Sequence, residues 1–162
     1  MDHQLAGKKI LILVANGVDQ AVMSGMQRDL VRAGAAVKMV GIEPGLVSSW
    51  HNDGWGLYFP VDQQVSQTLG SDFDCLVVPS GSRGIQKLAA NAHSERIISS
   101  FAASGKLMVF MGDAAELLDK TGHAEQRNNA DIVVRGDCAD IGAAVQAIVA
   151  HFTGPAPAKK AA

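Results

Sequence analysis

The sequence has little of what usually announces a mechanism. Two cysteines among 162 residues cannot staple a disulfide scaffold. Eight aromatic side chains leave most of the apolar 48% to aliphatic residues, which suit packed helices and buried strands. A formal net charge of −2 excludes the strongly basic footprint of a general nucleic-acid binder. The longest purely apolar run, Ile10 to Ala15, is far too short to span a bilayer. Met1-Asp2-His3-Gln4 lacks the basic-then-apolar order of a secretory signal. The histidines at 3, 51, 93, 123 and 151 show no metal-ligand spacing, and no G-x-G-x-x-G or P-loop offers a phosphate cradle. These absences predict a cytoplasmic single domain with no metal, no cofactor, no nucleic acid and no membrane partner. A chain of this length buries roughly 68–70% of its unfolded surface, enough to fold without staples.

Short apolar runs and amphipathic stretches alternate along the chain. Ile10 to Ala15, closed by Asn16-Gly17, reads as a strand buried on both faces. Val22, Met26, Leu30 and Ala33 recur at helical spacing before Gly34, with Asp19 as a candidate N-cap. Val37 to Ile42 completes a βαβ unit, which implies a parallel sheet. Asp53-Gly54 signals a hairpin turn, and Trp50, Trp55, Tyr58 and Phe59 surround it. Further strands are expected at Phe73–Val78, Leu107–Met111 and Ile132–Val134. Helices are expected around Ile85–Ala89, Ile97–Phe101, Leu117–Leu118 and Ile141–Phe152, with 119–131 a loop. The predicted fold is α/β, a flavodoxin-like doubly wound parallel-sheet sandwich with a small β-hairpin insertion. Residues 1–153 form the domain and 154–162, with Pro155 and Pro157, a disordered tail. Ligands in such sheets bind outside the carboxyl ends of the strands. Three of those ends carry chemistry: Asn16 to Asp19, Pro79-Ser80-Gly81, and Gly112-Asp113.

Three segments, in order, resemble the ThiJ/PfpI superfamily with its class I glutamine-amidotransferase-like fold. They are Lys9 to Asp19, Asp72-Phe-Asp-Cys-Leu-Val-Val-Pro-Ser-Gly81, and Gly105-Lys-Leu-Met-Val-Phe-Met-Gly-Asp113. The Asp53-Gly54 hairpin, the Gly112-Asp113-Ala114 elbow and the ending from Asp131 to His151 look most like the C-terminal domain of large-subunit catalases. The resemblance implies a homodimer and a chaperone-like or stress-related stabilising role. It also implies an elbow cysteine at the position that Gly112 holds here, followed by histidine where Asp113 stands. Such a thiol sits at a helix start, where the dipole and free N–H groups stabilise thiolate. An acid from the first loop, here Asp19, holds it, and N–H groups near Ser80-Gly81 receive an oxyanion. Gly112 has no side chain, so covalent thiol chemistry at that residue is excluded.

The expectation is therefore a catalytically degenerate domain with no catalytic residues and a vestigial pocket of Asp19, Ser80, Gly81, Gly112 and Asp113. It would act by binding a small molecule or protein client, or by assembly. The alternative is a non-cysteine lyase or hydrolase in which Asp19 and Asp113 share a pocket. Both acids also read as ordinary helix-start residues. Ser80-Gly81-Ser82-Arg83-Gly84 nearly spells G-x-S-x-G but reads as a turn. Cys75 falls in a strand and reads as a buried hydrophobe. Cys138 follows Asp137, a candidate N-cap. It reads as a helix-start thiol, too distant in the chain to replace the elbow cysteine by motif, or as a redox sensor. Trp50, Trp55 and Tyr58 are candidate interface anchors, and His51 a solvent-facing turn residue or a pocket lining.

Overall fold

A computed structural model describes residues 4–129 and 132–153, the side chains of 127 and 128 excepted. The tail expected at 154–162 and the motif residue Asp131 lie outside the described residues.

The first βαβ unit forms as its pattern requires. Strand β1 (Lys9–Val14) leads through a two-residue strand, β2 (Val18–Asp19), into helix α1 (Gln20–Arg32). Gly34 at φ 97° ends that helix, and β3 (Ala36–Gly41) follows. The hairpin is β4 (Leu46–His51) and β5 (Gly54–Pro60). Its turn is one residue earlier than the sequence signal. Asn52 and Asp53 take φ 50° and 60°, while Gly54 already pairs with His51. Next come β6 (Gln63–Gln64), β7 (Cys75–Val78), α2 (Ser82–Ala89) and α3 (Ala92–Ser104). The chain finishes with β8 (Leu107–Met111), α4 (Glu116–Lys120), β9 (Val133–Gly136) and α5 (Ile141–Thr153). Strands β2 and β6 are too short to show a period. The polar stretch expected as loop carries the end of α4 and a 3-10 turn at Ala124–Asn128.

Six parallel strands form the sheet in the order β6-β3-β1-β7-β8-β9. Alternate residues of β1 supply both cores. Ile10, Ile12 and Val14 join Val22, Met26 and Leu30 of α1 and Val145 and Ile148 of α5. Leu11, Leu13 and Ala15 join Ile85 and Leu88 of α2, Phe101 of α3 and Leu117 of α4. Helices thus cover both faces, as an all-parallel sheet demands. The chain leaves β1 to one side for β3 and then crosses to the other side for β7. The switch point therefore lies between the carboxyl ends of β1 and β7, where such folds place their ligands.

The hairpin forms a second sheet, β2-β4-β5, outside those ends. Asn16 Oδ1 accepts the Ser48 N–H at 2.9 Å, and Gln20 Oε1 accepts the Leu57 N–H at 2.9 Å and the Ser49 hydroxyl at 2.9 Å. A bulge between the Ser48 and Trp50 pairs shifts the alternation. It puts Leu46, Trp50, Trp55 and Tyr58 on one face, while Val47 packs into the core. Among the described residues, no helix is long and apolar enough to cross a membrane.

Candidate functional site

The turn that follows β8 is built on a glycine. Gly112 follows β8 at φ 55°, a left-handed conformation that a side chain adopts only at a cost. It opens the short 3-10 turn Gly112–Ala115 that leads into α4. A Cβ built on Gly112 would fall on the sulfur of Cys138 and lie 3.2 Å from the Ser80 Cβ. The space an elbow side chain would enter is therefore held by a thiol from another strand end. Cys138, too distant in the chain to match the elbow cysteine by motif, is nonetheless beside Gly112 in space. The parallel register explains the meeting: Met111 pairs with Gly136, so the residues just beyond β8 and β9 lie side by side. Cys138 is half-buried, whereas Cys75 is fully buried, and burial, with Asp74 adding to it, pushes the Cys75 thiol far up. Cys138 does not open α5. Asp140 caps that helix by accepting the Ala143 N–H at 3.0 Å, and Asp137 accepts the Ala139 N–H in the preceding turn.

The two acids are both engaged, Asp19 with Ser80 and Asp113 with Gly81. Asp19 occupies the N-cap position of α1 with extended backbone, yet its side chain caps nothing. Its Oδ2 accepts the hydroxyl of buried Ser80 at 3.2 Å. Asp113 Oδ1 accepts the Gly81 N–H at 2.9 Å. That N–H is among those near Ser80-Gly81 that the resemblance offers to an oxyanion, and the protein's own carboxylate takes it. Gly81 itself stands at φ 127°, where a Cβ would meet the Asp19 nitrogen and the Gly17 oxygen, each at 2.7 Å. The crevice between Val14-Ala15 and Pro79-Ser80-Gly81 consequently has no space for a water molecule.

A polar cleft of about 760 Å³ opens above this sealed point, between the hairpin tip and the start of α2. Asp19, His51, Asp53, Ser82 and Arg83 line it, but Asp113 does not, so the two carboxylates do not share this cleft. His51 is exposed and also lines this cleft. Arg83 lies 4.0 Å from the Trp50 ring centroid, and Trp55 meets Trp50 edge-on at 5.2 Å. Trp50 is thus held within the fold, while Trp55 (57% exposed) and Tyr58 (64%) remain open to a partner. Among the described residues no three His, Cys, Asp or Glu side chains are grouped to hold a metal ion.

The family profile of DJ-1/PfpI matches residues 8–145, which include every strand end just described. The chain belongs to the DJ-1/PfpI family. Solved DJ-1 structures share its fold at low identity. DJ-1 of Toxoplasma gondii, in an oxidised form, superposes with a TM-score of 0.77 at 19% identity, covering 95% of each chain. DJ-1beta of Drosophila melanogaster gives 0.77 at 18% identity, covering 94% of each. A DJ-1 superfamily protein of Salmonella typhimurium, solved as a cysteine-to-alanine mutant, gives 0.75 at 22% identity over 91% of each. No curated protein matches the sequence significantly. The sequence named Asp19, Ser80, Gly81, Gly112 and Asp113, and the structure joins Asp19 to Ser80 and Asp113 to Gly81 by hydrogen bonds. It missed that Asp113 bonds the Gly81 N–H and that the Cys138 sulfur packs against Gly112.

Proposed function

We propose that this DJ-1/PfpI domain works by binding and assembly rather than by turnover at the elbow. One observation carries the reading: the Gly81 N–H that an oxyanion would need already bonds Asp113, beside an elbow residue with no side chain. An oxyanion hole contributes to catalysis only when its donors are free and aimed at developing charge. Homodimerisation through the hairpin fits the same reading. Leu46, Trp55 and Tyr58 share a face, each more than half exposed, and aromatic anchors of this kind dominate protein interfaces. A cytoplasmic, stress-related stabilising role, as in the catalase-like domain the sequence resembles, fits it too. The test screens glyoxalase, deglycase, peptidase and amidase substrates alongside sedimentation of Trp55→Glu and Tyr58→Glu. The reading expects no turnover, a native dimer and monomeric variants. Turnover lost in Asp19→Asn or Asp113→Asn would replace it with the two-carboxylate enzyme.

The position of Cys138 favours a second reading, a thiol sensor. Its thiolate would take one oxygen from hydrogen peroxide, forming the sulfenic acid and releasing hydroxide. Peroxide should then add one oxygen to the native protein and none to Cys138→Ser. Equal oxidation of both would end this reading.

A further inference from the structure

The switch-point crevice is sealed, but its neighbour at the same edge of the sheet is not. Outside the carboxyl ends of β1 and β3 lies a cavity of about 300 Å³. That is the lower end of the range for small-molecule sites. Ala15, Gly41 and Val47 are its buried floor, and Ile42, Leu46, Val61 and Ala90 add apolar walls. Four polar side chains complete the lining: Asn16, Glu43, Lys87 and Asn91.

The hydrogen-bond network fixes what the two amides can offer. Asn16 Oδ1 is committed to the Ser48 N–H, and Asn91 Oδ1 to the His93 N–H, each at 2.9 Å. Each Nδ2 group carries no hydrogen bond among the described residues, so both lining amides retain a donor group. Lys87 adds an ammonium group. Its one described partner is the Trp55 ring, 5.9 Å from Nζ and near the limit of a useful cation–π contact. Against these three donor-bearing side chains stands one carboxylate, the exposed Glu43.

We propose that the crevice outside the carboxyl ends of β1 and β3 binds a small carboxylic acid with an apolar body. The apolar part lies over Ala15, Val47 and Val61. The carboxylate takes hydrogen bonds from Lys87 and from the Asn16 and Asn91 amides. An alcohol of the same length would keep the apolar contacts and lose the charge-assisted bonds. An amine would face donors with a donor. The site uses neither Gly112 nor Asp113, so it stands or falls apart from the elbow.

Hexanoate, hexanol and hexylamine are the probes, titrated into the full chain with the methyl signals of Val47 and Val61 followed by NMR. Hexanoate should shift both with a Kd on the order of 1 mM, as fits a ligand of so few atoms. Hexanol should bind about tenfold more weakly and hexylamine not at all. Lys87→Gln, on an exposed side chain, should weaken hexanoate about tenfold, and Ala90→Trp should block it sterically while leaving the fold intact. Hexylamine binding as tightly as hexanoate would overturn the proposal, since Glu43 would then dominate. Hexanoate binding unchanged in Lys87→Gln, or no methyl shift at all, would overturn it equally.

Discussion

Between β1 and β7 the strand ends close together beneath a polar cleft, with no room for water; between β1 and β3 a cavity reaches down to them. Both crevices share β1 and the same parallel geometry, so the sheet does not decide which is open. The turns above it do. Beyond β7, Gly81 lets the backbone touch the Asp19 nitrogen and the Gly17 oxygen, and Asp113 bonds its N–H. Beyond β3 the chain turns outward into the hairpin, which Asn16 and Gln20 anchor and which meets α2 through Arg83 on Trp50 and Lys87 on Trp55. One parallel sheet can thus carry a crevice closed by its own turns and, one strand away, a crevice left open.

The seal is most directly broken at Gly81. A Cβ there would meet backbone atoms at 2.7 Å, and backbone cannot swing aside as a side-chain end can. The φ of 127° adds strain for any L-residue. Gly81→Ala should cost about 3 kcal/mol or more, read as a lower urea midpoint at unchanged slope. A loss under about 1 kcal/mol would show that the contact is soft and the closure incidental.

Asp113→Ala should cost less, about 1.5 kcal/mol, by removing a charged acceptor from a half-buried N–H. It also sharpens the comparison, because the freed Gly81 N–H becomes an anion donor. Formate should then move the Gly81 amide signal in the variant and leave it unmoved in the native protein. A native shift equal to the variant's would mean that Asp113 does not occupy the donor.

How much of this was legible beforehand depended on range along the chain. The βαβ opening, the buried strands and the elbow were readable because each is local. Five apolar residues in β1, buried on both faces, call for a sheet covered on both sides. The hairpin was readable from Asp53-Gly54, displaced by one residue, since Asn52 and Asp53 both tolerate φ > 0. What fills the elbow was not legible, because it depends on strand ends 26 residues apart in sequence, at Gly112 and Cys138. A signal existed nonetheless. Two consecutive parallel strands place the residues after each side by side, so a cysteine just past β9 belongs near the residue just past β8. The open crevice depends on three distant segments, β3, the hairpin and the end of α2, and no local pattern marks it.

The meeting of Gly112 and Cys138 can be measured as a coupling. Gly112→Ala must accept φ 55°, at roughly 1 kcal/mol, and must also displace the Cys138 sulfur. In a Cys138→Ala background the displacement disappears and only the backbone strain remains. The double variant should therefore be more stable than the sum of the two single effects by about 1 kcal/mol. Strict additivity would show that the sulfur moves away freely and does not fill the elbow.

The smallest effect belongs to the open crevice and uses the same chemical change as the largest. Gly41 lies on the crevice floor, in β3, without a positive φ. A Cβ there would meet the Val61 methyls at 3.1 and 3.3 Å, close enough to need a few tenths of an ångström of movement. Val61 is a half-buried side chain beside an open cavity, so it has somewhere to go. Replacing glycine also restricts the unfolded chain, a stabilising contribution of about 0.4–1 kcal/mol where the native backbone suits alanine. The two contributions nearly cancel, and Gly41→Ala should leave the urea midpoint within the equivalent of about 0.5 kcal/mol. A loss above about 2 kcal/mol would mean that this crevice is packed as tightly as its neighbour. The contrast between an open and a closed strand end would then be lost, and the carboxylate site with it.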